Sequence, residues 1–292
     1  MHRAPRPLRV SQLARWISTE QLAIQRSILA AASARDAETI LRILEQDRLS
    51  PVNVATAAHR LAKVAKKGLR ERSVQQLQAP ILATATEFGA QATANTIWAL
   101  AKLGCQEDLL WSSLSHCASQ QLREFSGRHL ANVSWSLAAL ARSDAPLLLT
   151  LSYEVMLKAE ASELTPQSLA NVLWSFAFLA MWESKMMLAP LEAVHSYAEA
   201  FNPRDLSNTL WALSMYKGSS DFEAVDWRTL LRALARSGSS KAQQLHPNDL
   251  TSIAWAFVDA TPLQMHWLQR GAMSGMEKMK PSGVPMKYEP LD

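Results

Sequence analysis

Along most of this chain apolar residues recur with a spacing near 3.6, and the pattern restarts at intervals of 37 to 44 residues. In the stretch after Pro166, at about 100° per residue, Leu169, Val172, Leu173, Phe176, Leu179 and Ala180 share one broad apolar arc. Gln167, Ser168, Asn171, Ser175 and Phe178 occupy the opposite side. Such a division predicts an amphipathic helix with one buried side. Gly104 and Gly218 punctuate the chain behind two such stretches, and a second apolar-periodic stretch comes after the first, as in Asp108 to Gln121, Leu147 to Ala161 and Pro190 to Phe201. Each copy therefore predicts a hairpin of two helices. Glycine is scarce, and no Asn-Gly or Asp-Gly turn separates alternating runs, so the pattern predicts an all-α protein without a sheet.

The copies align on a short motif. ANTIWALAKL at 94–103, ANVSWSLAAL at 131–140, ANVLWSFAFL at 170–179 and SNTLWALSMY at 207–216 are the clear ones. ATAAHRLAKV at 55–64, with Thr56 for asparagine and His59 for tryptophan, and TSIAWAFVDA at 251–260, with Ser252 for asparagine, are weaker flanking copies. Repeats begin at Ser50, Gly89, Ser126, Thr165, Asn202 and His246; Pro51, Pro166, Pro203 and Pro247 follow four of these, and Gly127 follows a fifth. Thr165-Pro166 and Asn202-Pro203 have the form of an N-cap with proline at the first helical position. Recurrence at this period predicts an α-solenoid of about six helical hairpins, whose terminal copies drift as the ends of stacked arrays do. The expected organisation is a basic N-terminal segment over 1–33, a capping helix over 34–49, the repeat array over 50–270, and a disordered or truncated tail over 271–292.

Charge changes this picture at the N-terminus. Arg3, Arg6, Arg9 and Arg15 precede the first acid, Glu20, which resembles a mitochondrial or plastid transit peptide; a basic start to a cytoplasmic protein is the alternative. The formal net charge is +4, so loss of those arginines would leave the chain neutral. One basic patch stands out further on, Arg60, Lys63, Lys66, Lys67, Arg70 and Arg72 opposed only by Glu71, and it reads either as a solvated helix end or as a phosphate-contacting strip. No apolar stretch is long enough to span a bilayer. Cys105 and Cys117 read as ordinary thiols.

Catalytic patterns are missing from the sequence: no Gly-rich phosphate loop, His-Glu-x-x-His or Gly-x-Ser-x-Gly occurs. The expectation is a binding protein, not an enzyme, with no metal, cofactor or small-molecule substrate. Trp98, Trp135, Trp174, Trp211 and Trp255 read as inter-repeat packing or as platforms for base stacking. Asn95, Asn132, Asn171 and Asn208 read as a ladder of structural amides or as a binding face. Three positions on the asparagine side vary between copies. Seven before the tryptophan stand Val52, Gln91, Arg128, Gln167, Arg204 and Asn248; six before it, Asn53, Ala92, His129, Ser168, Asp205 and Asp249; four after it, Lys63, Lys102, Ala139, Phe178, Met215 and Asp259. A modular reader must differ where it discriminates, and polar side chains at helix N-termini suit phosphates or base edges.

The recurring L-A-N-x-x-W-A/S-x-A-x-L string over roughly residues 34–270 resembles the octotricopeptide and heptatricopeptide repeats of organellar, RAP-domain-associated RNA-binding proteins. The resemblance implies an α-solenoid holding single-stranded organellar RNA, messenger or ribosomal, on a concave face. Its implied roles are transcript stabilisation, processing, translation or ribosome assembly in a mitochondrion or plastid. On that reading Lys63, Lys66, Lys102, Arg128 and Arg204 contact phosphates, while Gln91, His129, Gln167, Ser168, Asp205, Asn248 and Asp249 discriminate bases. Protein partners in a ribonucleoprotein complex would add selectivity. The rival reading is a protein-interaction scaffold of armadillo or HEAT type, which the same stacking would support, with Phe178 and Met215 hinting at an apolar groove.

Overall fold

The computed structural model describes residues 19–46, 49–181, 185–216 and 225–244, and every regular element among them is helical. The chain divides into two compact units after Cys117. In the first unit, α1 (Thr19–Ser33), α2 (Ala37–Leu44), α3 (Pro51–Val64), α4 (Arg70–Thr84) and α5 (Ala90–Leu103) follow in order, and α6 (Asp108–Gln121) begins. The second contains α7 (Gly127–Ala139), α8 (Ala145–Glu160), α9 (Pro166–Phe178), α10 (Leu188–Tyr197), α11 (Pro203–Tyr216) and α12 (Trp227–Ser240).

Stacking within each unit is that of a solenoid. In the first, α1 packs on α3 and α3 on α5, while α2 and α4 form a second layer behind them. In the second, α7, α9 and α11 pack side by side in one row, with α8, α10 and α12 behind. The cores are built from short helices rich in alanine and leucine, such as Val54, Ala57, Ala58 and Leu61 of α3 or Leu169, Val172, Leu173 and Phe176 of α9. Small residues let neighbouring backbones approach, so side chains fill the remaining space at high density. Successive hairpins of the second unit are tied by Tyr197, whose hydroxyl donates to the Leu164 carbonyl at 2.8 Å, and by Tyr216, which reaches the Leu173 carbonyl at 3.5 Å.

The repeat starts act as helix starts. Ser50, Ser126 and Thr165 accept through their hydroxyls from the backbone N–H of the third helical residue, at 3.3, 3.3 and 3.1 Å, and Asn202 does so through its amide oxygen at 2.9 Å. Each satisfies one of the N–H groups that a helix start leaves open. Gly127 takes the place proline holds elsewhere because the 163–164 turn closes on it: a Cβ there would meet Leu164 Cδ2 at 2.9 Å and the Glu163 carbonyl at 3.0 Å. Six residues past the tryptophan the chain turns through the left-handed region, at Gly104 (φ 79°), Ala141 (φ 50°) and Ala180 (φ 61°). Only one of the three uses the residue for which that conformation is unstrained.

Two expectations change. The segment assigned to a basic N-terminal region over 1–33 holds α1, which forms a full hairpin with α2 and packs on α3. Its buried residues, Ile28 and Ala31, are flanked by Gln21 and Gln25, so its stripe is too polar to read as a repeat helix. The polar arc of α9 is also not a solvent face: Ser168, Asn171 and Ser175 are each 0% exposed. A row of helices covers α9 on both flanks and α10 covers a third side, which a single helical wheel does not anticipate. The repeat beginning at His246 and the tail over 271–292 lie outside the described residues.

Candidate nucleic-acid interface

The variable positions sort by exposure. The residue seven before the tryptophan is the second of its helix in every described repeat, and Val52, Gln91, Arg128 and Arg204 are exposed there, with Gln167 half-buried. The next residue points inward: Asn53, Ser168 and Asp205 are buried, while Ala92 and His129 are half-buried. The cap explains the alternation, since the third residue's N–H bonds to the N-cap side chain and draws its own side chain under the turn. Where proline removes the first N–H and the cap takes the third, as at Pro166 and Pro203, the second N–H is left pointing out of the helix end.

Ser168 and Asp205, expected to read bases, therefore cannot reach a ligand on the surface. The Thr165 hydroxyl donates to the Ser168 hydroxyl at 2.9 Å. Burial pushes the Asp205 carboxyl up to about 6, against a hydrogen bond with the Asn202 backbone and the charge of Arg204 that both hold it down. His129 keeps one open side: its Nδ1 accepts from the Ser126 N–H at 3.3 Å, completing a capping box. Burial, and then the neighbouring Arg128, lower its pKa, so the half-buried imidazole is neutral and, with Nδ1 accepting, carries its proton on Nε2. Asn248, Asp249 and Trp255 lie outside the described residues.

The cations expected to contact phosphates fall at two different places. Lys63 and Lys102 sit in the last turns of α3 and α5, with Lys66 just past α3, where a positive charge suits the negative end of the helix. Arg128 and Arg204 sit at the second position of α7 and α11, near the positive end, where a cation is locally disfavoured. Arg72 of the basic patch is held by Glu38 at 2.9 Å.

Tryptophans and asparagines are mostly interior. Trp98, Trp135, Trp174 and Trp211 are 3 to 7% exposed. Trp174 stacks on Phe178 at 5.3 Å between centroids and meets Trp211 at 6.2 Å; in the first unit His59 meets Trp98 at 5.1 Å. These rings join one repeat to the next instead of standing open as platforms for bases. Asn132, Asn171 and Asn208 are buried, whereas Asn95 is half-buried.

Two rows of residues on the second helices carry no repeat motif, so the sequence pattern did not mark them. On α12, Arg228, Arg232 and Arg236 are all exposed. On α8, Leu149, Tyr153 and Leu157 are exposed by 57, 46 and 37%. Both recur every four residues, the spacing that keeps side chains on one helical face, and a wheel drawn for the second helices would have found them. Among the described residues no group of His, Cys, Asp and Glu side chains is gathered to hold a metal ion, and no helix is long and apolar enough to cross a membrane.

No protein-family model matches the chain. A stretch of 156 residues is 28% identical to part of a chloroplastic RAP domain-containing protein from Oryza sativa subsp. japonica, covering 46% of this chain and 24% of that relative. The chain thus matches about a quarter of the rice protein's length.

Proposed function

We propose that this chain is a non-catalytic RNA-binding protein of the plastid, holding single-stranded RNA across the first helices of its repeats. The observation that carries this reading is the second helical position, which varies from repeat to repeat and, among the described residues, is exposed at Val52, Gln91, Arg128 and Arg204 and half-buried at Gln167. Helix N-termini favour anions, and a phosphate bound beside exposed Arg128 or Arg204 would meet a guanidinium as well as the positive end of the helix. Gln91, Gln167 and the Nε2–H of half-buried His129 then serve base edges. In the first unit Lys63, Lys66 and Lys102 supply phosphate contacts at the other end of the helices. Similarity to a chloroplastic RAP domain-containing protein favours a plastid over a mitochondrion or the cytoplasm and supports an RNA-associated role there. With one contact position per repeat, selection of a transcript calls for protein partners as well.

The test is crosslinking and sequencing of RNA bound to the tagged full-length protein in its own cells, beside the double variant Arg128→Ala/Arg204→Ala. Discrete plastid footprints lost in a variant that melts like the wild type support the reading; background RNA in both contradicts it. A scaffold is the second reading, favoured by the exposed Leu149, Tyr153 and Leu157 row of α8, since a helix apolar on two sides normally has a neighbour on each.

A further inference from the structure

The exposed side of α12 is built from arginine. Leu230, Leu234 and Ser237 turn inward, and Arg228, Arg232 and Arg236 face outward on successive turns, about 6 Å apart along the axis. Like charges four residues apart destabilise a helix, and no acid within α12 relieves them. Among the described residues the surroundings do not neutralise the row either. Asp226 is the helix N-cap, accepting from the Thr229 N–H at 3.1 Å, and Arg228 contributes to holding its carboxyl low. From α10, which packs against α12, the groups are Glu192 and His195, with Glu199 in the turn after it; from α11 they are Arg204 and the buried Asp205. Among the described residues none of these carboxylates makes an ion pair with an arginine of the row. Lys241, next along the chain, is committed elsewhere, donating to the Ser237 hydroxyl at 2.6 Å and the Glu199 carbonyl at 2.9 Å.

We infer that this arginine row is a second nucleic-acid contact, a sequence-independent track for the phosphates of a single strand, on the layer of second helices and separate from the helix N-termini. The inference rests on the RNA reading above. Three guanidinium groups in line, each able to fork onto a phosphate, match a polyanion with regularly spaced charges better than a single acidic side chain. Such a track would raise affinity without choosing a base, leaving discrimination to the first helices.

Binding of full-length protein to fluorescein-labelled oligouridine, measured as a function of salt, tests it. For R228Q/R232Q/R236Q we expect the slope of log affinity against log salt to fall by about 2, with affinity at low salt down on the order of tenfold. The lysine triple variant should keep most of both, which separates lost charge from lost folding. If the glutamine variant binds as the wild type does while Arg128→Gln/Arg204→Gln loses affinity, the track is overturned and the RNA reading stands. If the wild type itself fails to bind, both fall. Unchanged RNA binding with lost binding to polyglutamate would reassign the row to an acidic protein surface and overturn the track.

Discussion

The same line of positions along the first helices is open in one unit and closed in the other. In the first unit it runs Val52, Thr56, His59 and Lys63 on α3, and Gln91, Asn95 and Lys102 on α5, all exposed or half-buried and interrupted only by Trp98. In the second unit the equivalent line on α9 runs Gln167, Asn171, Trp174 and Phe178, with the middle two at 0 and 5% exposure. The line on α11, from Arg204 through Asn208 and Trp211 to Met215, is open only at Arg204. The difference follows side-chain size. In the second unit indoles and Phe178 meet across or along the row, whereas His59 and Thr56 leave α3 uncovered. Drift in an outer copy, which reads as decay of a motif, thus determines where the surface is accessible.

The largest effect should come from unroofing the closed line. Trp174→Ala removes a ring that contacts both Phe178 and Trp211, and we expect a loss of about 3–5 kcal/mol in denaturant unfolding. His59→Ala, at the open line, should cost well under half of that, and equal losses would break the comparison.

Asp205 gives a pH signature to the closed unit. Its carboxyl titrates higher in the folded protein than in the unfolded chain, so the folded state binds more protons between about pH 4 and 6. Stability contributed by the protonated group is present below that window and is lost as pH rises through about 6. Asp205→Asn should therefore stabilise the protein at pH 7 by on the order of 2 kcal/mol and flatten the decline between pH 4 and 6. Melting curves that decline equally in both proteins would place the titration elsewhere.

Buried amides sharpen the contrast further. Asn53 is clamped, its Nδ2 donating to the carbonyl and to the Oε1 of Gln21 at 2.9 and 2.8 Å. Asn171 has no partner for either amide atom among the described residues. We expect Asn53→Ala to lose about 1–3 kcal/mol and Asn171→Leu to be neutral or stabilising. A comparable loss at Asn171 would mean that small rotations join it to the open Oδ1 of Asn132 and Nδ2 of Asn208, head to tail along the row. The smallest effect should be Ala141→Gly, which relieves a left-handed alanine and is expected to gain less than about 1 kcal/mol in thermal melting.

What the sequence made legible was local chemistry repeated in register. Caps at Ser50, Ser126, Thr165 and Asn202 and the start of each first helix could be read from single residues, because capping depends only on neighbours in the chain. The burial of Ser168 and Asp205 could not, because it depends on helices 37 or more residues away closing over a polar face, whereas an interior Asn171 is one of the two readings of the asparagine ladder. The residues expected to contact phosphates divide as their spacing implies: Lys63 and Lys102 stand four after the tryptophan position and Arg128 and Arg204 seven before it, which puts them at opposite ends of their helices. Arg228, Arg232 and Arg236 escaped notice because attention to a repeated motif favours the helices that carry it.

The most direct test of the account is ultraviolet crosslinking of the full-length protein to single-stranded RNA, with the attached peptides identified by mass spectrometry. The account predicts adducts on the peptides bearing Gln91, Arg128, Gln167 and Arg204 at the starts of the first helices. Adducts confined to other surfaces, or none at all with RNA in excess, would contradict it.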